Sequence, residues 1–193
     1  MLDKKTLNDF VSKVDHAYQQ FCVWVYANNL FTKHQADFNN VPINKNCKYT
    51  NFWDVVICSL QHSWILSVAR LFDPAYFMTD KTKPRLSIYY ILESLDDNSL
   101  EDTIKLKLNN HKTCIDSIKK NRDNFLSHNS VNFKNEKIKP DVEDLFEEID
   151  AIIKNIKSDK SYLKNCNDIN LKYIKELSKD GVEEIFRALL KID

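Results

Sequence analysis

Residues 50–73 read TNFWDVVICSLQHSWILSVARLFD. This segment predicts a helix on which apolar residues recur along two sides. One stripe consists of Phe52, Val55, Val56, Ser59, His62, Ser63, Leu66 and Ala69, and the other consists of Trp53, Leu60, Trp64 and Leu71. A helix that is apolar on most sides is typical of the buried centre of a helical protein. We expect it to end at Phe72-Asp73-Pro74, because proline disfavours helical backbone in the residue before it.

Further helices are expected on both sides of this segment, since apolar residues recur at steps of three and four along most of the chain. We expect loops over residues 33–47 and 74–85, and capping boxes at Thr6–Asp9 and Ser99–Asp102. The expected helices cover about 3–32, 86–95, 100–127, a segment starting at Pro140–Asp141, and then 168–178 and 181–191, separated by Gly181. The pattern predicts an all-α antiparallel helical bundle over 1–157. A charged C-terminal helical extension over 158–193, not a separate domain, is expected to follow.

The composition excludes several kinds of binding site. Gly181 is the only glycine, and phosphate-cradling loops and dinucleotide-binding fingerprints need several glycines. The formal net charge is zero, so no overall charge steers the chain to nucleic acid or to an anionic membrane. No apolar stretch is long enough to span a membrane, and we expect no membrane partner.

The cysteines predict a reducing compartment. Cys22, Cys47, Cys58, Cys114 and Cys166 are odd in number and form no CxxC pair. Cys22, Cys58 and Cys114 lie within apolar helical patterns, which is typical of buried free thiols. Zinc binding needs ligand spacings that the chain lacks, and no segment of the signal-peptide type lies at its start. We therefore expect a cytoplasmic protein with no metal and no cofactor.

The predicted helix over 100–127 contains a charge where an apolar residue is expected. Its apolar residues form a narrow seam with steps of four and three, made of Ile104, Leu108, His111, Ile115, Ile118, Arg122 and Phe125. A guanidinium stays charged at any ordinary pH, and burying it without a partner costs several kcal/mol. A carboxylate, a partner chain or a phosphate must therefore lie against Arg122.

His128 is the second candidate residue. In a continuous helix it would point about 110° away from the centre of the seam, so it meets Arg122 only if the helix frays near Ser127 or if a second subunit supplies its own copy. An arginine beside an imidazole suits phosphodiester chemistry, because arginine stabilises phosphate charge and histidine transfers protons near neutral pH. The alternative is structural: Arg122 pairs with a core carboxylate such as Asp54 or Glu93, and His128 is an ordinary loop residue.

Other polar and aromatic residues have simpler interpretations. His62 and His111 lie on apolar faces, where a histidine is usually a hydrogen-bonded core residue. The tryptophans and Tyr89-Tyr90 are most simply core residues, although aromatic rings also stack on bases. A group of lysines flanks the seam and is by default a solvated face, but it would also suit an RNA backbone: Lys105, Lys107, Lys112, Lys119 and Lys120. The helix after Pro140 is acidic on its outer face, which is either solvated or suited to a basic partner.

Two stretches resemble the HEPN superfamily, and within it the abortive-infection U-type (Abi-U-like) branch. Arg122-Asp123-Asn124-Phe125-Leu126-Ser127-His128 resembles the R-(polar)-x(3–5)-H motif of that superfamily, with Asp123 at the polar position. Ser63-Trp64-Ile65-Leu66-Ser67-Val68-Ala69-Arg70-Leu71-Phe72-Asp73, followed later by Leu86-Ser87, is similar to the segment that precedes the motif in that branch. The likeness covers roughly residues 5–157.

This resemblance implies a HEPN-like helical bundle that forms a homodimer in which two Arg/His pairs line one cleft. It also implies a metal-independent endoribonuclease of a toxin–antitoxin or phage-defence system, with RNA as substrate and an antitoxin protein as partner. Arg122 would stabilise the scissile phosphate, His128 would transfer a proton, and Asp123 would orient one of them, giving 2′,3′-cyclic phosphate ends. The branch tends to carry an acidic residue where this chain has Ser130. Either that group is dispensable, or the domain is a non-catalytic HEPN-fold binding or dimerisation module.

Overall fold

The chain is helical over most of its length. The structure, a computed structural model, describes residues 1–34, 42–44, 47–77, 80–127 and 141–190. The helices are α1 (Lys4–Lys33), α2 (Tyr49–Leu71), α3 (Ile88–Glu93), α4 (Asn98–Asn110), α5 (Lys112–Ser127), α6 (Val142–Asp159) and α7 (Leu171–Leu190), and a one-turn 3₁₀ helix covers Ser161–Leu163. The predicted all-α, HEPN-like fold is confirmed.

The core lies where α1, α2 and α6 meet. Phe10, Trp64 and Phe146 are fully buried there, and the Phe21 ring lies 5.3 Å from the Trp64 ring. A second apolar cluster joins the far end of α2 to α7, with the rings of Trp53 and Phe186 4.8 Å apart. The central helix α2 is thus held from both ends.

The prediction that α2 is apolar and buried on most sides is partly wrong. The stripe that contains Trp53 and Trp64 faces the core, whereas Val55 on the other stripe is 64% exposed. His62 and Cys58 are also exposed, so neither is the core residue that the sequence suggested. α2 is therefore amphipathic: Val55, Cys58 and His62 lie on its exposed side, whereas Trp53 and Trp64 lie on its buried side.

The long helix expected over 100–127 is two helices. His111 ends α4 with non-helical backbone (φ −99°, ψ 9°), and α5 starts at Lys112. The buried residues Ile104 and Leu108 of α4 and Ile115 and Ile118 of α5 keep the expected seam spacing. The seam continues through the break because the apolar positions stay in phase.

Both predicted loops contain short strands. β1 (Pro42–Asn44) pairs with β2 (Cys47–Lys48), and β3 (Tyr76–Phe77) pairs with β4 (Asp80–Pro84), in each case antiparallel. The second hairpin returns the chain so that the Arg85 amide donates to the Ala75 carbonyl at 2.7 Å. It thereby places Arg85 beside the end of α2.

The predicted capping residues, Thr6 and Ser99, are wrong, although the helices start within two residues of the predicted positions. Asp3 caps α1 by accepting from the Thr6 amide at 2.8 Å, and Asp97 caps α4 by accepting from the Leu100 amide at 3.0 Å. Aspartate accepts these amide bonds as well as serine or threonine does, so two acceptable capping residues compete at each start.

In the described part of the C-terminal segment, one α-helix replaces the two that the sequence predicted. α7 runs through Gly181 without a break, and it packs along α1. Its apolar residues Val182 and Phe186 are buried in the cluster around Trp53. Between α6 and α7, the Lys157 ammonium is buried and donates to the Cys166 carbonyl at 2.6 Å. The segment after residue 157 therefore contributes to the packing of the bundle.

Candidate functional site

Arg122 lies on α5, which packs against α2. The preceding turn of α5 is buried: Ile118 is fully buried and Asn121 is 2% exposed. The side chain of Arg122 itself is 21% exposed, so it lies at the edge of the apolar seam and reaches solvent. The helix turn that carries Arg122 is therefore anchored in the core, and the guanidinium remains accessible to solvent.

Two carboxylates hold the guanidinium. Arg122 Nη1 donates to Asp73 Oδ1 at 2.6 Å, and Arg122 Nε donates to Asp123 Oδ1 at 2.9 Å. Burial alone lowers the pKa of Arg122, but the hydrogen bonds to Asp123 and Asp73 outweigh that effect, and the net pKa is raised. The group is therefore a permanent cation with a defined orientation.

Asp73 is fixed by the end of α2. It follows Phe72, which is fully buried, and it precedes Pro74, which prevents the helix from continuing. The side chain of Asp73 is 17% exposed. The structural alternatives named from the sequence, Asp54 and Glu93, are both exposed and are not the partner.

A second arginine reaches the same carboxylate. Arg85 Nη1 lies 3.7 Å from Asp73 Oδ2, and the Arg85 guanidinium carbon lies 4.8 Å from the centre of the Phe77 ring. Asp73 therefore bridges Arg122 and Arg85, which are far apart in sequence. Sequence reasoning missed Arg85, and its only signal was a position next to the Leu86-Ser87 stretch of the family resemblance.

Asp123 combines a contact to Arg122 with high exposure. Its side chain is 64% exposed and lies next to Arg122 on α5. A carboxylate in this position can orient the guanidinium, which is the role that the resemblance implies for it. Its exposure means that a ligand that approaches Arg122 also meets Asp123.

His128, the second predicted site residue, lies outside the described residues. The helix that carries Arg122 is described up to Ser127, the residue before it. Of the other histidines, His16 bonds Gln20 at 2.8 Å on α1 and His111 ends α4. The motif residues that the structure places together are therefore Arg122 and Asp123.

The described residues also answer two further questions: whether they form a metal site, and whether one of their helices could span a membrane. Within them, no group of three or more histidine, cysteine, aspartate or glutamate side chains is arranged to hold a metal ion. In the same part of the chain, no helix combines the length and the apolar character that a membrane crossing requires. The acidic face of α6 is partly neutralised within the chain, since Glu143 pairs with Lys175 and Glu148 pairs with Lys107.

The family comparison agrees with the two stretches that meet at this site. The family model HEPN_AbiU2, described as AbiU2, matches residues 5–162, which is well over half of the chain. No curated protein and no solved structure matches the chain. The matched range contains Asp73, Arg85, Arg122, Asp123 and His128. The chain therefore belongs to the AbiU2 family of HEPN domains.

Proposed function

We propose that the chain is a metal-independent HEPN endoribonuclease of a toxin–antitoxin or abortive-infection system, and that it acts in the cytoplasm. The observation that carries the proposal is the Arg122 guanidinium, which occupies the arginine position of the family motif, is oriented by two carboxylates and remains 21% exposed. A fixed and accessible guanidinium suits a phosphate oxygen, because its forked donors match phosphate geometry.

The proposed reaction is transesterification within the RNA chain. The ribose 2′-oxygen attacks the adjacent phosphorus, the bond from phosphorus to the 5′-oxygen of the next nucleotide breaks, and a 2′,3′-cyclic phosphate forms. Arg122 stabilises the extra negative charge on the phosphate oxygens. His128 accepts the 2′-hydroxyl proton or donates a proton to the leaving 5′-oxygen. These roles need no cofactor.

A homodimer is part of the proposal. On the outer side of α2, Val55 is an apolar side chain that is 64% exposed. A second copy of the chain would cover it. Val55→Glu is expected to shift sedimentation from dimer to monomer, and an unchanged dimer would show that the interface lies elsewhere.

A non-catalytic binding or dimerisation module is the second candidate function. It is favoured by the pairing of Arg122 with Asp73 and Asp123, because a neutralised arginine already has a structural role. In this function, RNA, an antitoxin or another partner would bind without being cleaved. The two functions predict different results for the same substitutions.

The test is RNA cleavage with EDTA present, for the wild type, Arg122→Ala and His128→Ala. Arg187→Ala is the matched control, since its side chain is 67% exposed and lies 3.9 Å from its nearest carboxylate. We expect cleavage by the wild type and by the control only, with cyclic phosphate ends identified by mass spectrometry. Cleavage that persists in His128→Ala, or its absence in folded wild type, would overturn the nuclease proposal.

Stability separates the two interpretations of Arg122 further. Arg122→Ala is expected to cost about 1–2 kcal/mol of unfolding free energy, less than the several kcal/mol of a buried pair. The reason is that the pairs are partly exposed and that Arg85 still lies beside Asp73. A loss of activity much larger than this loss of stability would indicate catalysis.

A further inference from the structure

A pocket of about 220 Å³ opens between α3 and the junction of α4 and α5. Its lining includes Tyr89 of α3 together with Lys112 and Lys119 of α5. Lys119 and Arg122 are three residues apart, so they lie on neighbouring positions of one helix face, about 4.5 Å apart along the axis. The pocket therefore continues the surface that presents Arg122.

The pocket is positively charged. Lys105 on its rim is held by Glu101 at 2.6 Å, but Lys112 and Lys119 have no ion pair with any residue that the structure describes. Asp116 is the one carboxylate in the lining, and its charge acts on Lys119 without forming an ion pair. An anion that enters this space meets two ammonium groups that are not neutralised by an ion pair.

One of these ammonium groups lies over an aromatic face. Lys119 Nζ is 5.6 Å from the centre of the Tyr89 ring. Burial lowers the pKa of Lys119, which means that its ammonium has lost part of its hydration. A partly desolvated cation gains more from a bound anion than a fully hydrated lysine does.

We propose that this pocket binds the nucleotide of single-stranded RNA that lies next to the scissile phosphate. Lys112 and Lys119 bind its phosphate, and Tyr89 stacks on its base. The position of the scissile phosphate at Arg122 rests on the proposed function. Single-stranded RNA is favoured because an aromatic ring beside ammonium groups matches an unstacked base beside a phosphate, and duplexes keep their bases stacked.

The test measures binding of a fluorescent 2′-O-methyl oligoribonucleotide by anisotropy, since this RNA lacks the attacking hydroxyl and cannot be cleaved. Lys119→Met and Tyr89→Leu are each expected to raise the Kd about tenfold, whereas Tyr89→Phe keeps the ring and the affinity. Losing one lysine contact is expected to reduce the slope of log Kd against log salt by about 0.7. Lys172→Gln, an exposed lysine on α7, is the control for charge loss and should bind as the wild type does.

The outcomes separate this inference from the proposed function. Pocket-dependent binding without cleavage of ordinary RNA supports the pocket and overturns the nuclease. If the protein cleaves ordinary RNA, but Lys119→Met and Tyr89→Leu bind the 2′-O-methyl oligonucleotide with wild-type affinity, the pocket is overturned and the nuclease proposal stands. Absence of RNA binding by the folded wild type overturns both. Equal affinity for duplex and single strand would also contradict the pocket, because a stacked base cannot reach Tyr89.

Discussion

Replacing Asp15 with asparagine is expected to stabilise the protein at neutral pH. Asp15 of α1 faces Asp150 of α6, and within the described residues neither buried Oδ1 atom has a hydrogen-bond donor. Burial, followed by repulsion from Asp150, raises the pKa of Asp15 from 3.8 to about 6. The Lys154 ammonium binds Asp150 at 2.6 Å, so it compensates only one of the two carboxylates.

The magnitude follows from the pKa shift. A shift from 3.8 to about 6 corresponds to about 3 kcal/mol, and partial exposure of Asp15 reduces this to about 1–2 kcal/mol. Because the folded-state pKa is raised, the folded protein binds the proton more tightly than the unfolded chain does. The penalty is therefore complete above pH 6, and it disappears as the pH falls from about 6 to 3.8.

The assay is urea unfolding followed by circular dichroism at pH 7.5 and at pH values stepped down to about 4. Asp15→Asn should exceed the wild type by about 1–2 kcal/mol at pH 7.5, and the difference should shrink steadily toward acid pH. Asp9→Asn is the control on the same helix, since Asp9 is exposed and its variant should stay within about 0.5 kcal/mol of the wild type. An Asp15→Asn variant that is less stable at pH 7.5, or a difference that ignores pH, would refute the reasoning.

Three further predictions concern the stability of the helices and the burial of cysteines. Gly181→Ala should raise the unfolding free energy by about 0.5–1 kcal/mol in denaturant titrations, because Gly181 lies inside α7 and an added Cβ meets no atom within 4 Å; a loss of stability would contradict helical backbone at this position. Lys157→Met should cost about 2 kcal/mol by the same measurement, since it leaves the Cys166 carbonyl without its charged donor, and an unchanged midpoint would contradict that bond. Iodoacetamide should label the exposed Cys58 well before Cys114, whose pKa burial raises to about 11, as read by peptide mass spectrometry; equal rates would contradict the difference in burial.

The sequence was sufficient for the helical class of the fold because most helices bury one continuous apolar stripe. It was ambiguous for α2, where two apolar stripes compete and only packing decides which of them faces α1. The side of Trp53 and Trp64 is the buried one, and Val55 stays exposed. Hydrophobicity alone does not predict which apolar side chains of a helix pack within the chain and which stay exposed.

The sequence pattern did not predict the helix break at His111, because no glycine or proline marks it. The chain leaves helical geometry at His111, yet Leu108 and Ile115 on either side keep the spacing of one continuous helix. The converse error occurred at Gly181, where burial of Val182 and Phe186 outweighs the low helix propensity of glycine. At Gly181, therefore, tertiary packing decided the outcome against the local signal.

The candidate site could be predicted in part. The sequence indicated Arg122 because a charge in an apolar seam requires a partner, and Asp123 because it follows in the family motif. It did not indicate Asp73 as that partner, because the two residues are 49 positions apart and only the packing of α5 on α2 joins them. Arg85 was missed for the same reason, since a hairpin brings it to the site.

The pairing of Arg122 with Asp73 sets a condition that any RNA substrate must meet. A phosphodiester and an aspartate carboxylate each carry one negative charge, so a phosphate gains Arg122 only by sharing it with Asp73 or displacing Asp73. Displacement would be unfavourable if it left Asp73 without a cation, because its side chain is only 17% exposed. Arg85 Nη1 lies 3.7 Å from the other oxygen of Asp73, so the carboxylate keeps a cation when Arg122 turns to a phosphate. Under the proposed function, Arg85 therefore acts as a positioning residue, because Asp73 keeps a cationic partner while Arg122 binds the phosphate. The charge of Arg122 is thus balanced when no RNA is bound, and its guanidinium is still available to a phosphate.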